Sequence, residues 1–328
     1  MKRYAKHAAY AAIALVFLWT VVWMAVAQRI VRQIDAWRTE QAFTLDWEAF
    51  DVKGWPFGWR ADVAAPRASG AGWAWSGERL IASIEPWNPA EIRVRLPGAQ
   101  RATFGARTLA LRAARPDAIL RLDASGKPAR LDLDFEALEA AFDGGAPARV
   151  RKLEASFARP SDDVFGATLN AQAIRLAEAI PGLAAFGTDI GRLAATAQLR
   201  GAIPGGSFAD AARAWRDAGG TVELTSFALE WGALRVAGEG TLALDAADRP
   251  LGAGTVRMAG WSEAIDALQA ARAIEPTPAA LLKAGLNFLG RVGGGGEPGT
   301  VRVPIAAQDG RLVVHRIPVA VLPSLRLE

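Results

Sequence analysis

The chain contains no cysteine. A disulfide framework, a thiolate nucleophile and a zinc–thiolate site are therefore excluded. Histidine is almost missing as well, with His7 and His315 the two occurrences. A Ser-His-Asp arrangement or a His-rich metal site would rest on His315 alone. That residue stands in a strand-like segment, LVVHRIPV, and reads as a strand residue on a polar face. No P-loop, dinucleotide fingerprint or HExxH sequence occurs. Basic clusters are lacking too. The 38 Lys and Arg face 34 Asp and Glu, and single arginines are scattered through apparent strands. This leaves no electrostatic footprint for nucleic acid. No catalytic residue, metal or cofactor is expected, and the chain does not read as an enzyme.

One long apolar run is present. Ala8 to Ala27 (AAYAAIALVFLWTVVWMAVA) is uncharged over 20 residues, with Lys2, Arg3 and Lys6 before it and Arg29 and Arg32 after it. At about 1.5 Å per helical residue it spans roughly 30 Å, the thickness of a bilayer's hydrocarbon core. We expect a signal anchor over 1–28 in the inner membrane, N-terminus in the cytoplasm and body in the periplasm. The alternative is a soluble periplasmic protein, because Ala25-Val26-Ala27 before Gln28 fits an A-x-A cleavage site. Two features favour the anchor. The run exceeds the roughly 7–15 residues of a signal-peptide h-region. Trp19 and Trp23 also sit near its exit end, where indoles favour the membrane interface.

Residues 29–42 then read as a stalk helix, with Ile30, Ile34 and Trp37 on one face. From 43 to 328 the dominant period is two. In EIRVRL, Ile92, Val94 and Leu96 alternate with Glu91, Arg93 and Arg95. In ARLDLDF, Leu131, Leu133 and Phe135 alternate with Arg130, Asp132 and Asp134. Val301, Val303 and Ile305 alternate with Arg302 and Pro304. Such patterns mark antiparallel strands with one buried and one solvated face. Turns are expected at 124–127, 246–250 and Asp309-Gly310. Helices are expected over 135–142, over part of 172–186, and over 207–217 capped by Ser207. Two more are expected over 262–273 capped by Ser262, and over 278–289 with Pro278 near its first turn. Gly293–Gly296 reads as a flexible joint. The fold class is mainly β with packed helices (α+β), read as a β-rich half to about 135, a mixed middle, and a second β-rich half from 188. A body of this size buries an ample core without disulfides.

Three blocks carry a resemblance. The first is Phe50-Asp51-Val52-Lys53-Gly54-Trp55-Pro56-Phe57-Gly58-Trp59, running on to Pro66. The second is Leu229-Glu230-Trp231-Gly232, then Gly238-x-Gly240-x-Leu242-x-Leu244-Asp245, Arg249-Pro250-x-Gly252 and Gly260. The third runs from Val303-Pro304-Ile305 through Asp309-Gly310 to Ile317-Pro318 and Pro323. Together they resemble an uncharacterised family of membrane-anchored envelope proteins of proteobacteria, a domain of unknown function. The second and third blocks are also similar to the terminal segments of the AsmA-like superfamily. That resemblance implies a curled antiparallel sheet with an apolar groove after one N-terminal transmembrane helix, and a role in handling envelope lipid. It brings no catalytic residues.

Candidate sites follow. Asp132 and Asp134 face the same way, as do Asp46 and Glu48, but Arg121 and Arg130 nearby make a solvated charge pattern the better reading. Ser161-Asp162-Asp163 reads as a loop. Trp47, Trp55, Trp59, Trp73, Trp75 and Trp87 read as core closing one end of a sheet, with a lipid-headgroup or glycan platform as the sharper alternative. Gly54-Trp55-Pro56 reads as a tight bend. The candidate ligand groove is the face carrying Leu234, Val236, Leu242 and Leu244, with Gly238 and Gly240 leaving room for an apolar chain. Expected partners are the lipid bilayer through Ala8–Ala27, a lipid ligand in the groove, and an envelope protein at a strand edge if the chain is a scaffold. A glycan-acting enzyme using an acid pair is the third reading.

Overall fold

The computed structural model describes residues 14–29, 32, 44–161, 163–180, 183–202, 208–292, 299–314, 317–322 and 324. Its first element is a helix, α1, over 14–29. The expected span Ala8–Ala27 lies partly outside the described residues, as do Ser207, His7, His315, the tetraglycine and all of the stalk except Arg29 and Arg32. Among the described residues no helix is long and apolar enough to cross a membrane.

After α1 the chain winds as an antiparallel meander. Five long strands come first, and each is broken once. They are β1–β2 (Thr44–Asp46, Ala49–Lys53), β3–β4 (Trp59–Ala64, Arg67–Gly70), β5–β6 (Trp73–Gly77, Arg79–Glu85), β7–β8 (Asn88–Arg95, Gln100–Phe104) and β9–β10 (Arg107–Arg112, Arg115–Leu122). Being antiparallel, the latter part of one strand pairs with the first part of the next and that first part with the latter part of the one after, as in β2 with β3, β3 with β6, β6 with β7 and β7 with β10. The remaining halves pair likewise. Unbroken strands continue the series: β11 (Pro128–Phe142), β12 (Ala148–Ser161), β13 (Val164–Arg175), β14 (Asp189–Arg200), β15 (Thr221–Trp231), β16 (Leu234–Leu244), β17 (Pro250–Ala259) and β18 (Val301–Gln308). A final hairpin, β19 (Arg311–Val314) and β20 (Ile317–Val321), pairs onto β18. The result is one large antiparallel sheet that does not close.

The breaks line up into a crease across the sheet. Ala65 (φ 47°) and Gly98 (φ 84°) mark it in the first strands. Ala137 (φ 50°) and Ala173 (φ 49°) carry it on as breaks with the register kept, since Glu136↔Lys152 is followed by Leu138↔Val150, and Lys152↔Gln172 by Val150↔Ile174. A shift between Ile190 and Arg192 extends it into β14. A bulge adds one residue and bends the strand. In β11 the left-handed residue Ala137 moves the apolar phase by one without an added residue, so Leu133, Phe135, Leu138 and Ala140 stay on the same face. This corrects the helix expected over 135–142, which is the second half of β11. Residues 172–175 are likewise strand, and among the described residues the helical part of 172–186 is a short 3-10 turn at Ala184–Phe186.

Three helices interrupt the later half. α2 (Phe208–Asp217) joins β14 to β15, and α3 (Trp261–Ala270) and α4 (Pro276–Val292) join β17 to β18. α3 starts one residue earlier than expected, and Gly260 rather than Ser262 takes the cap position. Gly260 has φ 67°, and a Cβ there would lie 1.9 Å from the Ala233 carbonyl oxygen. α4 begins at Pro276, so Pro278 lies inside its first turn. The helices cover one end of the sheet: α3 packs on β16 and the 3-10 turn, and α4 on β18. There Trp261, Ile265, Ala279, Val301 and Val303 form a closed core, with Val303 fully buried. A second cluster, Ala171, Ile174, Ile190 and Trp231, sits on the crease under Phe186.

An apolar face, a charged face and an aromatic corner

Cross-strand register shows how the faces are built. One row runs Ile92–Leu120–Leu131–Phe157–Ala167–Ala197–Leu224–Gly240–Gly254–Ile305 from β7 to β18. Its neighbour runs Val94–Ala118–Leu133–Ala155–Leu169–Ala195–Phe227–Gly238–Val256–Val303. One side of the sheet is therefore apolar across ten strands. Beneath α3 and α4 this side is closed core. Over β11 to β15 it is mostly half-buried, and Phe157 and Phe165 stack on it with ring centroids 6.1 Å apart.

Leu234, Val236, Leu242 and Leu244 share this face. Val236 lies between Leu229 and Met258, and Leu242 between Val222 and Gly252. All but Leu242 are half-buried; Leu242 is 40% exposed. The glycines do a different job from the one expected. A Cβ on Gly238 or Gly240 would lie 2.8 Å from a carbonyl oxygen of β17, and one on Gly252 only 2.1 Å from Thr241 O. Their missing side chains let β16 and β17 approach each other, rather than leaving room for a ligand.

The opposite face is a ladder of ion pairs. Arg79 pairs with Asp62, Arg95 with Asp117 (2.8 Å), Arg121 with Asp132 and Glu91, and Arg200 with Glu223 (2.8 Å). Lys152 donates to Glu154 at 2.6 Å, and Asn170 donates to the same carboxylate. The Arg79 guanidinium holds the Asp62 carboxyl below its ordinary pKa. Partial burial pushes Asp132 up, yet hydrogen bonds from Arg130, Ser156 and Arg121 outweigh it and the pKa falls. Asp132 is thus a paired surface carboxylate. Two hollows lie on this side. One of about 500 Å³ is lined by Phe57, Arg60, Arg93, Arg95 and Asp117. The other, about 620 Å³, follows the crease between Arg149, Arg151, Arg175 and Arg235, with Ala137, Ala173 and Gly191 on its floor.

The tryptophans depart from the core reading. None of Trp47, Trp55, Trp59, Trp73, Trp75 and Trp87 is buried. The buried indoles are Trp215, Trp231 and Trp261, each capping a connection between strands and each donating to a backbone carbonyl. Sequence neighbours do not separate the two sets, because glycine or alanine flanks members of both, as at Trp55, Trp73, Trp231 and Trp261. Trp59 instead meets α1. Its Nε1 donates to the Trp23 carbonyl at 3.2 Å, and its ring lies 6.2 Å from that of Trp19. Trp19 donates to the Pro56 carbonyl at 2.8 Å and Trp23 to the Gly58 carbonyl at 2.7 Å. Three indole hydrogen bonds thus fasten α1 to the bend at 54–58, which closes as expected through Phe57 N and Gly58 N donating to Gly54 O.

A family profile described as an uncharacterised protein conserved in bacteria (DUF2125) matches residues 23–323. The chain belongs to this family. The match starts within α1 and takes in the bend, the crease, both core clusters and the closing hairpin. No curated protein and no solved structure is significantly similar to the chain.

Proposed function

We propose that this family member is a non-enzymatic, single-anchor protein of the bacterial envelope that handles lipid on the apolar face of its open sheet. The anchor is the run Ala8–Ala27, of which α1 is the described part, and the body stands in the periplasm. The observation that carries the reading is the apolar face over β11–β15. It is continuous with a closed core at one end, yet outside the buried cluster on the crease its side chains there are mostly half-buried, and the packed helices lie on β16 and β18. Apolar surface left open in this way marks a ligand or partner site. The similarity of the glycine-rich and C-terminal blocks to AsmA-like proteins, which pair an N-terminal anchor with a curled sheet, supports the same reading. A sheet this short bridges no great distance alone, so transfer across the envelope would need further subunits.

A second reading has an observation of its own. The sheet is open, and β2 and β20 each have one neighbour among the described residues. Such edges accept a strand from another chain, which is the scaffolding function with an envelope protein as partner.

Photo-crosslinking in cells separates the two. A benzophenone residue replacing Leu169 or Phe227, on the apolar face, should give phospholipid adducts by mass spectrometry. The same residue replacing Thr168 or Thr196, on the charged face, should not. Protein adducts at β20 with no lipid at Leu169 or Phe227 would replace the lipid reading with the scaffold.

A further inference from the structure

We infer that the corner made by α1 and the two nearest turns is a membrane footing, in which Trp55, Phe57 and Trp87 enter the bilayer interface and set the sheet edge-on to the lipid surface. The inference rests on the reading of α1 as part of the anchor and adds where the body meets the membrane.

The first argument is one of level. The apolar run ends at Ala27, but the body grips the helix at Trp19 and Trp23. Trp19 lies eight residues before Ala27, which is about 12 Å along a helix. If the run is in the bilayer, the bend at 54–58 is drawn in beside it. The side of α1 turned away from the body agrees, since Val21, Val22 and Met24 are exposed alongside the grip and residues 14–18 are exposed all round. Lipid that covers those side chains reaches the corner at the same depth. An interfacial element buries about 5–10 Å, close to what this geometry asks.

The second argument is composition. In a meander, alternate turns share an edge. Turns 54–58 and 86–87 are on the edge that holds α1, and they carry Trp55, Phe57 (75% exposed) and Trp87 (69% exposed). The next turns on that edge carry Asp123, Ser125 and Lys127, then Ser161 and Asp163, then Asp245, Asp248 and Arg249. The α2 connection on the same edge carries Trp215, which is buried, so among the described side chains exposed turn aromatics on this edge are confined to the turns that adjoin the helix. Indole and phenyl rings are the side chains that favour the headgroup level.

The third argument is rigidity. A Cβ on Gly54 would lie 2.8 Å from Gly58 O, and one on Gly58 would lie 2.7 Å from Ile84 O at the end of β6. Both turns are therefore locked together and to α1, and their aromatics are held outward in advance. Large apolar side chains held in water have no packing purpose here.

Because the natural chain has no cysteine, single labels are clean. Full-length protein carries a nitrobenzoxadiazole label on Val16→Cys, Trp55→Cys or Phe104→Cys. It is placed in vesicles of phosphatidylethanolamine and phosphatidylglycerol bearing acyl-chain nitroxides. Phe104 is an exposed aromatic on the opposite edge. The Val16 and Trp55 labels should both lose fluorescence to the nitroxide, and the Phe104 label should keep it. Adding Phe57→Asp and Trp87→Asp, both surface changes, should free the Trp55 label while Val16 stays quenched and the β circular dichroism is unchanged. A quenched Val16 with an unquenched Trp55 overturns the footing and leaves the anchor standing. An unquenched Val16 overturns the anchor reading itself. Quenching at Phe104 overturns the edge-on placement, and a Trp55 label still quenched in the double Asp chain means the rings do not hold the corner down.

Discussion

Three alanines, Ala65, Ala137 and Ala173, adopt the left-handed backbone that favours glycine. A non-glycine residue there costs roughly 1–2 kcal/mol. The sheet carries that cost at successive positions of one crease, and the gain is a bend that keeps the apolar phase on one side. Ala173 is exposed, while Ala171, two residues earlier, is 4% exposed and belongs to the core on the crease. Ala173→Gly should leave the thermal midpoint unchanged or raise stability by up to about 1 kcal/mol, as strain relief exceeds the entropy of the added glycine. Ala171→Gly should lower stability by about 1 kcal/mol or more, since it loses a buried methyl and adds freedom to the unfolded chain. Paired thermal unfolding of the two variants checks the sign difference.

At the scale of elements, the β16–β17 pair and α4 use glycine in opposite ways. Gly252 faces the partner strand so closely that Gly252→Ala must push β16 away, and it should cost about 1–3 kcal/mol. Gly285 stands exposed in the middle of α4 with nothing within 4 Å of its missing Cβ. Gly285→Ala should therefore gain about 1 kcal/mol from helix propensity alone, read as a rise in the urea midpoint. The sequence makes some elements plain. Strict alternation in 91–96, 129–135 and 301–305 reads directly as strand, and Asp309-Gly310 as the turn of a hairpin. It misleads at 135–142 and 172–175 for one physical reason. A left-handed residue at Ala137 or Ala173 puts apolar residues three apart, as Phe135 and Leu138 or Ala171 and Ile174, which is helical spacing. For the site, periodicity suffices to place Leu234, Val236, Leu242 and Leu244 on one face. It says nothing of the corner, because the grip of Trp19 and Trp23 on residues 56 and 58 joins segments more than thirty positions apart.

For the whole molecule, the charged face sets how the sheet answers to acid. Among the described residues six carboxyl groups are held below their ordinary pKa. Arg79 does this for Asp62, and the Ser125 hydroxyl and the Lys127 backbone N–H do it for Asp123. Lys152 and Asn170 act on Glu154, and Ser161 on Asp163. The Arg249 backbone N–H leads for Asp245, and the arginines with Ser156 lower Asp132 against its partial burial. A folded-state value below the unfolded one means the folded form prefers the ionised group. That preference is fully present above the unfolded pKa, about 3.9 for Asp and 4.3 for Glu, and is lost as pH falls through the folded values. These pairs are largely exposed, so each contributes little and salt screens it further. Their contribution should therefore be flat between about pH 5 and 8 and should fall below about pH 4. The effect should be smaller in high salt. Urea midpoints of the detergent-solubilised chain across that range provide the measurement. Asp132→Asn should make the acid limb shallower. A decline that begins well above pH 5 and survives in Asp132→Asn and high salt would mean that a group outside this ladder controls the acid response.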